Sequence, residues 1–192
     1  MKLNSFLKNK GFGSDESKLV DIKSIDDPIQ VDLVYASSNN FTGQVVYDFQ
    51  NFLLTKEAAF QLKKVKDELR SIGLGLKIWD GFRPMSAQWK FWEILPDERY
   101  VSDPRKGGRH TLGTVVDVTL VNILAEELLM PSSTLDDFSE KAHRSFMNCS
   151  EIAIKHRQIL EHTMEKYGFI GLPTECWRFD LENWQNYLPI ED

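Results

Sequence analysis

Cysteine is scarce in this chain of 192 residues. Only Cys149 and Cys176 are present, too few for a disulfide framework, so two free thiols are expected. Long apolar runs are also missing. No window approaches the roughly 20 residues that a bilayer-spanning helix needs. The segment Met1-Lys2-Leu3-Asn4-Ser5-Phe6-Leu7-Lys8 has no apolar stretch of signal-peptide length. The expected setting is therefore the cytoplasm, with no membrane partner. Positive charge is not in excess either. The 23 Lys and Arg are outnumbered by 29 Asp and Glu, for a net charge of −6, which argues against the basic face of a nucleic-acid binder. Repeats, low-complexity tracts and linkers are absent. The length suits one hydrophobic core, so a single domain over 1–192 is expected, with the polar residues 1–27 as a loosely packed arm.

What is present reads as alternating elements. Ile29, Val31, Leu33 and Tyr35 alternate as in a strand over Ile29 to Ala36. Asn39-Asn40-Phe41-Thr42-Gly43 has turn composition. From Thr55 to Ile72, Ala58, Leu62, Val65, Leu69 and Ile72 recur at helical spacing, with Thr55 as cap and Gly73 as stop. Leu74, Leu76 and Ile78 alternate into a second strand that ends in the turn Asp80-Gly81-Phe82-Arg83-Pro84. A short aromatic-rich helix is expected over Ser86 to Leu95 and a valine-rich strand over Val115 to Val121. A long helix follows over Asn148 to Tyr167, with Asn148 and Glu151 as a capping box and Gly168 beyond it. Trp177 to Phe179 is a short strand. This order predicts an α+β fold, a small, mostly antiparallel sheet covered by helices.

Three places carry chemistry. In Gly108-Arg109-His110-Thr111-Leu112-Gly113-Thr114-Val115-Val116-Asp117, His110 offers an imidazole and Asp117 a hard oxygen, both ordinary zinc ligands. The spacing alone equally fits a part-buried histidine and a strand aspartate without metal. Arg83, in Trp79-Asp80-Gly81-Phe82-Arg83-Pro84, has the fork geometry to hold a carboxylate or an oxyanion; the competing reading is an Asp80–Arg83 ion pair within the turn. Glu175 on its own is a loop glutamate. His156 and His162 sit among Lys155, Arg157 and Glu161 and read as a solvated helix face.

Together these segments resemble the D-alanyl-D-alanine dipeptidases, a zinc family. The resemblance runs over residues 30 to 185. It is carried by Trp79-Asp80-Gly81-Phe82-Arg83-Pro84, by His110, Gly113 and Asp117 running into Val118-Thr119-Leu120, and by Glu175-Cys176-Trp177-Arg178-Phe179-Asp180. Lesser matches lie at Tyr35-Ala36, at Asn40-Phe41-Thr42-Gly43 and over Leu135 to His143. The resemblance implies a zinc-dependent dipeptidase acting on a cell-wall precursor dipeptide. His110 and Asp117 would be metal ligands, Glu175 the general base and Arg83 the group that stabilises the tetrahedral intermediate. Tyr35 and Asp136 would lie at the substrate, Asp136 suited to the dipeptide's ammonium.

The departures from the family pattern bear on function. The third zinc ligand, a histidine in the family, is here Arg178, which stays protonated and offers no lone pair. Gly108 stands where the family has a serine, Val115 an alanine, Cys176 a tryptophan and Arg144 a histidine next to His143. Two outcomes are chemically sensible. In one, the guanidinium replaces zinc between Asp117 and Glu175, no cofactor is needed, and the chain is a metal-free binding or regulatory homologue. In the other, Arg178 turns away and Cys176, two residues earlier and on the same face of an extended strand, completes a zinc site. A cell-wall L,D- or D,D-carboxypeptidase specificity is a further branch, less favoured by the missing leader and by Trp-Asp-Gly-Phe-Arg-Pro.

Overall fold

The computed structural model describes residues 18–25, 29–132 and 134–190. Five strands form the main sheet: β2 (Gln30–Val31), β4 (Leu74–Asp80), β5 (Val115–Asn122), β6 (Phe169–Leu172) and β7 (Glu175–Leu181), in the order β2-β4-β5-β7-β6. Only β2–β4 is parallel; the other neighbours are antiparallel. A two-stranded ribbon joins β1 (Leu19–Asp21) to β3 (Leu53–Thr55). The helices are α1 (Lys56–Ser71), α2 (Met85–Ile94) and α3 (Glu151–Lys166). The expected α+β architecture is thus what the chain adopts. None of the helices in the described residues is long and apolar enough to cross a membrane.

Alternation along β5 explains the layering. Val116, Val118 and Leu120 point into the main core with Leu62, Val65 and Leu69 of α1 and Leu160 and Met164 of α3. Each fully buried Leu or Val contributes about 1.5–3 kcal/mol, so the α1 stripe anchors the sheet. Val115, Asp117 and Thr119 take the other face, as the two-residue strand period requires. Every residue from Val115 to Val121 is buried, as expected of a central strand covered on both sides. The opposite layer holds Tyr35, Val46, Tyr47, Ala87, Phe91 and Val101, and beside them Trp79, Ala142, Cys176 and Trp177.

Several elements differ from the sequence reading. The strand expected over 29–36 shortens to β2, and Val34–Ala36 is a 3₁₀ turn. The strand β6 was not foreseen. α3 is capped by Ser150, whose hydroxyl accepts from the Ala153 amide at 3.3 Å, rather than by Asn148. Thr55 precedes α1 without a side-chain cap, because it is the last residue of β3 and fully buried. Arg157 is no solvated residue: it is buried and its Nη1 donates to the Phe146 carbonyl at 2.6 Å. Of the proposed arm, residues 1–17 lie outside the described residues. Residues 18–25 are packed, not loose: Ile22 is fully buried and its amide donates to the Phe52 carbonyl at 2.9 Å.

Candidate functional site

Strand register builds the site. Asp80 of β4 pairs with Asp117 of β5, and Asp117 pairs with Arg178 of β7. Directly opposed residues of antiparallel strands share a face, so two carboxylates and a guanidinium stand in one row across the sheet. A bulge makes this row. Ile78 pairs with Val118, and the register then shifts so that Asp80, not Trp79, meets Asp117. Such bulges re-aim side chains beside functional sites.

His110 comes to the row from the 3₁₀ turn Arg109–Leu112, whose C-cap Gly113 has φ +68°. A Cβ at residue 113 would lie 2.7 Å from Leu19 Cδ2, so glycine is required there by both backbone and space. The His110 Nδ1 lies 2.7 Å from the Gly81 carbonyl. A carbonyl only accepts, so Nδ1 carries the proton, and Nε2 presents its lone pair 3.5 Å from Asp117 Oδ2. Burial, aided by the Arg83 and Arg178 charges, holds the His110 pKa well below its ordinary value. The imidazole is neutral.

The carboxylates are held against their solution preference. Burial raises the Asp117 pKa well above the ordinary carboxylate value, and the nearby Asp80 charge adds to it. Asp117 Oδ1 is buried and has no hydrogen-bond partner among the described residues. Asp80 is fully buried and burial raises its pKa too, opposed by Arg83. Its oxygens are engaged: Tyr47 Oη donates to Oδ1 at 2.8 Å and Arg83 Nη2 to Oδ2 at 2.8 Å.

Arg83 therefore makes the ion pair that the turn reading anticipated, and it also lines the cavity in front of His110. Its Nη1 donates to Gln88 Oε1 at 3.1 Å, and its guanidinium carbon lies 4.6 Å from the centroid of the Phe91 ring. Gly108 makes room for this: a Cβ there would lie 3.1 Å from Gln88 Oε1.

Arg178 sits 3.6 Å from Glu175 through Nη1 and 3.3 Å from Asp180 through Nε. Burial, the largest influence, lowers its pKa. The Glu175, Asp180 and Asp117 charges more than offset that, and the net shift is upward. The guanidinium is thus paired with Glu175 as anticipated, but its second close partner is Asp180, two residues along the same strand face, rather than Asp117. Its carbonyl accepts from Arg144 Nη2 at 2.7 Å. The two arginines that replace family histidines are therefore joined.

Cys176 is placed elsewhere. Gly171 pairs with Phe179 and Leu172 with Glu175, so residues 176–178 bulge and the two-residue alternation fails between Cys176 and Arg178. Cys176 packs with Trp79, Ala142 and Trp177, and the cavity is lined by Glu175, Trp177 and Arg178 without it. His143 is likewise outside that lining.

Tyr35 and Asp136 meet at the other end of the cavity. Tyr35 Oη lies 2.8 Å from each Asp136 oxygen and donates to the carboxylate. Asp136 has φ +60°, unusual for a non-glycine residue. Burial raises its pKa to about 6 against the effect of the Tyr35 hydrogen bond and the Arg83 charge. The structure thus brings together His110, Asp117, Glu175, Arg178, Arg83, Tyr35 and Asp136 around a space of about 30 Å³. That space is water-sized.

Sequence reasoning passed over Asp80 and Asp180 as site residues, and Tyr47 and Gln88 altogether. Only the strand register reveals the first of these; Asp180 lies two residues from Arg178 on β7.

Asp80, His110 and Asp117 offer atoms within 4.8 Å of one another and so form a group that could hold a metal ion. The partnerless Asp117 Oδ1 favours a cation beside it. Two features count against zinc in the family manner. Asp80 is already bound by Arg83 and Tyr47, and position 178 supplies fixed positive charge where a neutral donor is required. The donor set does not fit a three-ligand zinc site.

The family model described as D-ala-D-ala dipeptidase, peptidase M15, matches residues 15–189. The chain is 33% identical over 179 residues to a D-alanyl-D-alanine dipeptidase of Escherichia coli (strain K12), covering 93% of this chain and 92% of that protein. It is 28% identical over 173 residues to one of Enterococcus faecalis (strain ATCC 700802 / V583), covering 80% and 86%. Among solved structures it is similar to VanYB in complex with D-alanine-D-alanine, at 14% identity and a TM-score of 0.46, over 72% of this chain and 80% of that one.

Proposed function

The chain belongs to the D-alanyl-D-alanine dipeptidase family, and from that premise we propose that it recognises D-alanyl-D-alanine in a pocket where the Arg178 guanidinium stands in for zinc. The observation that carries this reading is the pairing of Arg178 with Asp117 in the β5–β7 register, with its guanidinium against Glu175. A permanent cation held against Glu175 and Asp180, on a residue opposite Asp117, removes the electrostatic need for a metal. It also engages the base that hydrolysis would require.

On this reading the residues that hold the dipeptide are kept. Asp136 receives its ammonium, Tyr35 orients Asp136, and Arg83 supplies positive charge to the carbonyl and carboxylate end. The cleft admits the ligand when its aromatic cover moves. Tyr100 and Phe138, both at the surface with ring centroids 4.7 Å apart, form that cover.

The zinc dipeptidase remains the second reading, favoured by the partnerless Asp117 Oδ1 and the Asp80–His110–Asp117 group. One experiment separates the two. Purified protein is assayed for zinc, for amine release from D-alanyl-D-alanine, and for calorimetric binding of the same dipeptide. The expected result is binding with neither zinc nor turnover. Stoichiometric zinc with turnover would reverse the assignment.

The Asp136 carboxyl gives a pH signature. Its proton must leave before it can pair with an ammonium, and its pKa is about 6. Affinity for the dipeptide should therefore rise with pH through 6, losing about tenfold per unit on the acid side. In Asp136→Asn that dependence should vanish, along with most of the affinity. For folding the sign is opposite: the native state holds this proton more tightly than the unfolded chain, so Asp136 reduces stability as pH rises from about 4 to 6. A titration with a flat affinity between pH 5 and 7 would remove Asp136 from the ammonium site.

A further inference from the structure

Trp177 and Arg178 are neighbours in sequence, yet both line the inner cavity together with Glu175. Regular alternation along a strand sends neighbours to opposite faces. The pairing of β7 with β6 accounts for the exception. After Gly171 opposite Phe179, a regular ladder would set Leu172 opposite Arg178. Leu172 instead meets Glu175, and residues 176–178 have no partner on β6. A bulge of this kind takes backbone groups out of the ladder, and those groups need partners from elsewhere. Arg144, just past the 3₁₀ turn Glu140–Ala142, spans the gap. Its Nε donates to the Leu172 carbonyl at 2.9 Å and its Nη2 to the Arg178 carbonyl at 2.7 Å. These are the two residues that the bulge has parted. The surroundings of Arg144 are built to hold it. Its side chain is 10% exposed, with Nη1 3.3 Å from Glu161 Oε1 on α3. Its guanidinium carbon lies 4.2 Å from the centroid of the Phe179 ring, and its amide donates to the Pro173 carbonyl at 3.0 Å, in the turn between β6 and β7. Gly171 leaves the room, since a Cβ there would lie 2.2 Å from the guanidinium carbon.

We propose that Arg144 is a positioning residue for the site: its fork holds the β7 bulge in place, and so turns the Arg178 guanidinium into the cavity and keeps Cys176 out of it. The proposal rests on the reading of Arg178 as the cation of the site and extends it to what sets that cation in place. A guanidinium suits the task. Its donors are fixed in one plane, so two carbonyls are reached with little freedom lost per bond. Without Arg144, the regular pair of Leu172 with Arg178 is the ladder's own alternative. Closing that pair draws residues 176–178 back into alternation. Cys176 then returns to the face of residue 178 and leaves its place among Trp79, Ala142 and Trp177.

Alkylation of the whole chain by iodoacetamide, mapped by mass spectrometry, tests this. Cys149 is partly exposed and serves as the internal reference, while Cys176 is 1% exposed. In Arg144→Ala the rate at Cys176 relative to Cys149 should rise at least about tenfold in protein that a thermal melt shows to be folded. Gly171→Ala reaches the same end with Arg144 retained, because the added methyl group displaces the guanidinium, so it decides the matter if Arg144→Ala does not fold. Leu160→Ala weakens the main core without touching the bulge and should leave Cys176 protected, which separates a turned strand from a loss of stability. Calorimetric affinity for D-alanyl-D-alanine should fall in Arg144→Ala and Gly171→Ala alike, as residue 178 leaves its place. Cys176 still protected in the folded variants, or equally exposed by Leu160→Ala, overturns the proposal. A parent chain that does not bind the dipeptide overturns the functional reading instead, and the alkylation rates still decide what Arg144 does.

Discussion

Arg178→His is expected to turn a chain that leaves zinc behind on purification into one that carries about one zinc ion per molecule. The strand register is the reason. Residue 178 is opposite Asp117, and Cβ atoms of such a pair stand about 4.5–5.5 Å apart on one face. The Asp117 oxygen and the neutral His110 Nε2 are already 3.5 Å apart. A second imidazole in that row would complete a His-Asp-His set, with a fourth position left for water. The substitution also removes the charge that repels a dication. Asp117 Oδ1, without a hydrogen-bond partner among the described residues, would gain its missing partner. Metal analysis after dialysis reads the result directly. A variant that folds and still excludes zinc would show that Arg178 is not what keeps the metal out. Glu175 would also be released from its cation, so amine release from D-alanyl-D-alanine is the second readout.

Much of this arrangement was legible in the sequence, for a physical reason. The motifs around Arg83, His110 and Glu175 lie where strands end or begin, and strand pattern and turn composition locate such junctions well. The periodic stripe of α1 and the valine run of β5 were equally plain, because burial of one face leaves a regular imprint. The rest depended on pairing. Asp80 reads as a turn residue until β4 is set against β5 and the bulge before it is seen. Cys176 reads as interchangeable with residue 178 until the register jump between Gly171 and Leu172 breaks the alternation. Asp180 lies just past the strand expected over Trp177 to Phe179, yet β7 runs on to Leu181, and Asp180 and Glu175 share the Arg178 guanidinium. Bulges and cross-strand partners are nonlocal properties, and neither periodicity nor propensity encodes them. Residues 18–25 make the same point: a polar setting implies looseness, but Ile22 is buried in the core, Val20 and Ile25 pack against it and Leu19–Asp21 pair with β3.

Arg83→Met is expected to cost about 3–5 kcal/mol of folding stability, because it strands a carboxylate. The Arg83 side chain is 11% exposed and that of Asp80 is not exposed at all. Once the guanidinium is gone, Asp80 retains the Tyr47 hydroxyl and a proton on His110 Nδ1 3.7 Å away, which already serves the Gly81 carbonyl. Methionine keeps an apolar stem against Phe91, so lost packing explains little of the effect. The second substitution of a double-mutant cycle isolates the charge: in Asp80→Asn/Arg83→Met the stranded anion is absent, and a large part of the loss should return. The cycle also has a pH sign. Burial already raises the Asp80 pKa, with Arg83 opposing that rise. Removing Arg83 raises it further, so the single variant should recover stability as pH falls and Asp80 takes up its proton. Urea melts at pH 5 and pH 8 measure both effects. A loss of less than about 0.5 kcal/mol, the level of an ordinary surface change, would mean that Arg83 is held for the ligand alone and contributes nothing to the frame around His110.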